Sequence, residues 1–163
     1  MSRQQLAEVL TDSLPEESPE VLVQANFTAL LEGLDFAAEL EILGIGRMQF
    51  MRRRQMLVEL RGLCMGLWRL ALASSFPHNA DQIFASFLRA YADRFPGKSS
   101  TQILERASQY WGMLQAKGDR DFSDVARHLC SFAPQEEKDA RARALRLALL
   151  IRNTYKMIFD RLI

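Results

Sequence analysis

Apolar residues recur at helical spacing along nearly the whole chain, and nowhere do they alternate with polar ones over a β-branched run as a strand requires. The pattern predicts an all-α fold, a single helical bundle of about seven helices with two long central helices. A first helix is expected from Ser2, with Gln5 in capping-box spacing, to just before Pro15. A second starts at Ser18 with Pro19 in the first helical position and carries Val21, Leu22, Ala25, Phe27, Leu30 and Leu31. Gly33 and Asp35 break it before "FAAELEIL", and the two glycines of "GIG" (44–46) punctuate the chain again.

From Arg47 to about Ser75 nothing interrupts the helical pattern. Beyond "FPHN", Asn79 and Gln82 have capping spacing for a helix with a Phe84, Phe87, Leu88, Tyr91 and Phe95 stripe. Ser99 and Gln102 repeat that spacing for a helix that buries Ile103, Leu104, Ala107, Trp111 and Leu114 and ends near Gly118. A short helix is expected over 123–132. The last one follows Pro134, spans 135–162 and presents Leu145, Ala148, Ile151, Tyr155, Ile158, Phe159 and Leu162 on one face. The four sections, 1–44, 47–75, 80–132 and 135–162, belong to one domain, since 163 residues suffice for one core.

The long helix over 47–75 is the most informative stretch. On a helical wheel Met56, Leu57, Leu60, Leu63, Cys64, Leu67, Trp68, Leu70 and Ala71 form one broad apolar face that belongs in a core. A second stripe, Met51, Val58, Met65 and Leu72, lies on the far side and is bordered by Arg54, Arg61 and Arg69. Two fates suit that stripe. Either the helix is buried on both sides with arginine stems lying over apolar neighbours, or methionines rimmed by arginines dock a partner. The stretch does not suit a membrane span, because Arg61 and Arg69 enclose only seven uncharged residues. Gly62 and Gly66, spaced as small pairs are in close helix crossings, mark where another helix can approach.

Charge sharpens the picture. Residues 1–44 hold nine acidic groups against Arg3, while 45–76 hold six arginines against Glu59. Such segregation serves either a partner or an acidic arm lying on a basic face of the same fold. Hydrophobic residues at 48% and charged residues at 25% are ordinary globular composition. Cys64 and Cys130 have neither metal-site spacing nor a paired motif, so free thiols in a reducing compartment are expected. With an N-terminus that lacks an apolar signal core, a cytoplasmic protein is expected.

"AELEILGIGRMQFMRRRQML" (38–57) resembles the helix-turn-helix of bacterial regulators. Leu43, Gly44 and Ile45 match its turn, and Phe50 matches the buried position of its second helix. The resemblance implies that Arg47, Arg52, Arg53 and Arg54 face phosphates or guanine edges. Leu40 stands where such motifs need a small residue, and the second helix runs on well past three turns.

Residues that carry chemistry are sparse. His78 lies in a turn, and His128 and Cys130 point apart on a helix. "GDRDFSD" (118–124) has Asp124 where a calcium loop needs glycine, so Asp121 or Ser123 is better read as a helix cap. No nucleotide loop or nucleophile motif occurs, and no cofactor is expected. The leading expectation is a non-enzymatic protein-interaction module. It would bind a protein partner, or a second copy as a homodimer, through Met51, Arg54, Val58, Arg61, Met65, Arg69 and Leu72. The runner-up is a DNA-binding regulator using residues 38–57, and the third is a helical enzyme or small-ligand binder with a pocket between helices.

Overall fold

A computed structural model describes residues 18–133 and 137–163. The helix expected between Ser2 and Pro15 lies outside them. Seven helices are present among the described residues, with no strand: α1 Pro19–Gly33, α2 Ala37–Ile42, α3 Phe50–Ser75, α4 Ala80–Arg94, α5 Lys98–Leu114, α6 Ser123–Cys130 and α7 Glu137–Asp160. The all-α expectation holds, and the two longest helices are the two expected to be long, α3 with 26 residues and α7 with 24. None of the described helices is long and apolar enough to cross a membrane.

Local chemistry sets several of the boundaries. Ser18 Oγ accepts from the Val21 N–H at 3.3 Å and Pro19 opens α1 where its missing N–H costs nothing. The short helix α2 ends in a Schellman motif: Gly44 takes φ +71°, its N–H reaches the Glu41 carbonyl, and the Ile45 N–H reaches that of Leu40, each at 3.0 Å. Leu40 and Ile45 are both buried, supplying the apolar contact that usually accompanies this cap. Asp121 Oδ1 accepts from the Ser123 N–H at 2.9 Å at the start of α6. The capping expected of Asn79 and Ser99 is not found, since neither α4 nor α5 has a side-chain cap.

α3 is the axis of the molecule, with a different neighbour on each side. Trp68 stacks on Phe27 of α1 at 4.6 Å and meets Phe87 of α4 edge-on at 4.8 Å. Leu60, Leu63, Cys64 and Leu67 face α2 and α7, where Ile151 and Thr154 close the layer. The third side belongs to α5, which is the principal partner of α3. The cause is the Gly62/Gly66 pair. A Cβ on Gly62 would lie 2.5 Å from the Cβ of Arg106, and one on Gly66 would lie 3.1 Å from the backbone nitrogen of Trp111. Only glycine lets the two backbones come this close.

Gly62 faces Arg106 and Ala107, and Gly66 faces Tyr110 and Trp111, so the two helices run parallel in step. Followed backwards a turn at a time, Val58 comes level with Gln102 and Arg54 with Lys98, where α5 begins. The first turn of α3 therefore has no α5 beside it. On α7 the buried face is Leu147, Ile151, Tyr155 and Ile158, continued by Leu162; Leu145 and Phe159, expected inward, are exposed.

Candidate functional site: the first turns of the long helix and the cleft beside them

The seven residues of the expected docking stripe are divided by the α5 contact. Val58, Met65, Arg69 and Leu72 are buried within the chain itself and Arg61 is half-buried, so most of the stripe is core rather than docking surface. α5 covers it because the glycines admit a helix there. Buried Arg69 lies over the Trp111 ring at 4.3 Å and pairs with Asp81. Met51 and Arg54, ahead of that contact, remain on the surface.

The helix-turn-helix expectation is also corrected at its key position. Phe50 is 70% exposed instead of buried, because α3 begins at that residue, ahead of the contact with α5. Arg47 stands before the helix, in a turn closed by the Gln49 N–H on the Gly46 carbonyl (3.2 Å) and the Gly46 N–H on Gln49 Oε1 (3.3 Å). The Leu-Gly-Ile signature is that of the Schellman cap itself, which ends α2 whatever follows it.

What the turn presents is a surface of large apolar side chains among cations. Met48 is 83% exposed and Met51 75%, on either side of Phe50. Arg47, Arg52 and Arg54 are exposed and Arg53 is half-buried. Among the described residues none of these four side chains makes an ion pair or a hydrogen bond. The acidic groups of 18–44 do not neutralise them: among the described residues Glu32 pairs with Arg94 instead, at 3.2 Å.

Beside this turn is a cleft of about 320 Å³, within the usual range of ligand-sized depressions. Ile45, Met56, Val58 and Phe132 form its apolar wall, while Arg52, Gln55, Gln102 and Arg106 supply polar heads. Its floor is a charged network on the α3–α5 seam. Arg106 Nε donates to Glu59 Oε1 at 2.6 Å and the Tyr110 hydroxyl donates to Glu59 Oε2 at 2.5 Å. Burial above all, then the bond to Glu59, pushes the Tyr110 phenol well above its ordinary range. The Glu59 hydrogen bond and charge hold Arg106 further above its already high value. Both oxygens of Glu59 are thus committed, and its role is to fix Arg106 at the edge of the cleft.

The other chemical candidates are occupied. Lys117 Nζ lies 3.4 Å from Asp121 and 3.0 Å from Asp124, and Asp124 also pairs with Arg127. His128 packs edge-on against Tyr110 and Phe132. Cys64 and Cys130 are both buried; burial pushes both thiols above the ordinary range, with the Glu39 charge adding to the effect on Cys64. Among the described residues no group of three or more His, Cys, Asp or Glu is placed to hold a metal ion.

Sequence reasoning found Met51, Arg52 and Arg54, but missed Gln102, Arg106 and Phe132, which come to the cleft from other parts of the chain. One signal was available. Glu59 is the sole acid between Arg47 and Ser75, and a carboxylate that is buried with its helix needs a cation from elsewhere in the fold to pair with. No family model, curated protein or solved structure matches this chain.

Proposed function

We propose that this protein is a protein-interaction module that binds an acidic, apolar segment of a partner through the turn at 46–49 and the first turns of α3. The observation that carries it is the exposure of Met48, Phe50 and Met51 within a run of arginines that have no counter-charge among the described residues. Clustered large apolar groups on a surface mark interaction sites. Burying one such side chain contributes about 1.5–3 kcal/mol.

Methionine adapts to irregular partners, and methionine, phenylalanine and arginine are the types enriched in interface cores. All six cations in 45–76 are arginine, none lysine, and the planar guanidinium fork suits carboxylates in two-point contacts. A phosphate backbone would satisfy the arginines but leave Met48, Phe50 and Met51 in water, so a protein partner accounts for more of the surface than DNA does.

The test is selection of a displayed random-peptide library on the wild-type protein, with each selected peptide then measured on the Phe50→Glu/Met51→Glu variant. The expected result is enrichment of Asp and Glu with Leu or Phe, and at least a hundredfold loss of affinity for the variant. Both side chains project into water, so the variant should melt within a few degrees of the wild type. Enriched peptides that bind the variant equally would overturn the proposal. So would salt-sensitive binding of random duplex DNA, or of anionic vesicles, tighter than that of any selected peptide.

A further inference from the structure

The cleft beside α3 provides more than an edge to that surface. We infer that it seats the side-chain carboxylate of an acidic residue of the partner segment, gripped between Arg52 and Arg106; this rests on the protein-binding reading of the α3 surface.

Three observations meet here. First, Arg52 on the wall has no partner within the described chain, so its full donor fork is available. Second, Arg106 spends only its Nε on Glu59, which leaves its terminal nitrogens uncommitted on a side chain that is 36% exposed. Glu59, itself pinned by Tyr110, holds that guanidinium in place before any ligand arrives, which lowers the entropic cost of binding. Third, Gln55 and Gln102 add amide donors, while Ile45, Met56, Val58 and Phe132 accommodate a methylene stem. Glu59 neutralises one positive charge, so the cleft keeps one net cation, matched to a single carboxylate. A longer acidic side chain fits better than a phosphate, because half the wall is apolar and a second negative charge would approach Glu59.

Two titrations followed by NMR test this on the full-length protein. With 4-phenylbutyrate, a carboxylate on an apolar stem, the Arg52 and Arg106 Nε–H and the Gln55 and Gln102 amide signals should shift saturably in the millimolar range. The neutral 4-phenylbutyramide should leave them unmoved, and Arg52→Ala, an exposed position, should abolish the effect while preserving the rest of the spectrum. Equal shifts with the amide, or none with the acid, overturn the carboxylate seat.

The second titration identifies the source, using a selected acidic peptide and versions with each acid changed to its amide. One such change should cost about tenfold in affinity on the wild type and nothing further on Arg52→Ala, the non-additivity of a direct contact. If every change is additive with Arg52→Ala, the seat is overturned although the protein-binding reading stands. If phenylbutyrate binds and no peptide does, the cleft takes a free small carboxylate, and the assignment to a partner side chain is overturned along with that reading.

Discussion

Trp68→Ala is expected to lower the free energy of unfolding by about 3–5 kcal/mol, a large share of the roughly 5–15 kcal/mol available to a domain. Trp68 sits where three helices are joined: it stacks on Phe27 of α1, meets Phe87 of α4 edge-on, lies 6.3 Å from the Phe84 ring of α4 and belongs to α3 itself. Truncation removes the face on which α1 and α4 both rest. The rings left behind belong to separate helices and cannot close on the void without moving a helix. Trp68 Nε1 is buried and makes no hydrogen bond among the described residues, so the packing of the ring is what truncation removes. Trp68→Phe, which keeps most of the ring and removes that orphan donor, should therefore lose much less. Urea denaturation followed by far-ultraviolet circular dichroism measures both. Equal losses for the two variants would mean that the indole does not organise the α1–α3–α4 packing.

The second large effect is expected at Gly62. In an isolated helix, glycine to alanine is stabilising by about 0.5–1 kcal/mol. At Gly62 the added Cβ would lie 2.5 Å from Arg106 Cβ and 3.1 Å from the Ala107 backbone nitrogen, so α5 must move as a unit. Overpacking of this kind costs about 1–3 kcal/mol, enough to reverse the sign. The movement would also pull Arg106 away from Glu59, whose side chain is 9% exposed and relies on that bond. Gly112, on the outer side of α5 with nothing within 4 Å, is the internal control, since the same change there should stabilise by the propensity gain alone. Thermal melts of Gly62→Ala and Gly112→Ala should move in opposite directions. A shared direction would show that the close crossing does not need glycine.

These two sites show how far the sequence carries. Helix type and the inward face of α3 are written in local periodicity, and Leu60, Leu63, Cys64, Leu67 and Trp68 are all buried as that periodicity requires. The Gly62/Gly66 spacing marks a close crossing, but spacing on one helix does not name its partner, which is α5. The same gap divided the docking stripe. Met51, Val58, Met65 and Leu72 are equivalent by period, yet α5 begins level with Arg54, so only the residues ahead of that register stay exposed. The cleft was illegible for a related reason: Glu59, Arg106 and Phe132 are brought together by the crossing and by the end of α6, not by neighbourhood in the chain.

The most direct test of the account is to map a selected acidic peptide on the isotope-labelled protein by NMR chemical shifts. Perturbations are expected at Met48, Phe50, Met51 and Arg52, extending to Gln102 and Phe132 across the cleft. Perturbations centred on the other exposed apolar positions, Leu145, Leu149 and Phe159 along α7, with the start of α3 silent, would contradict it.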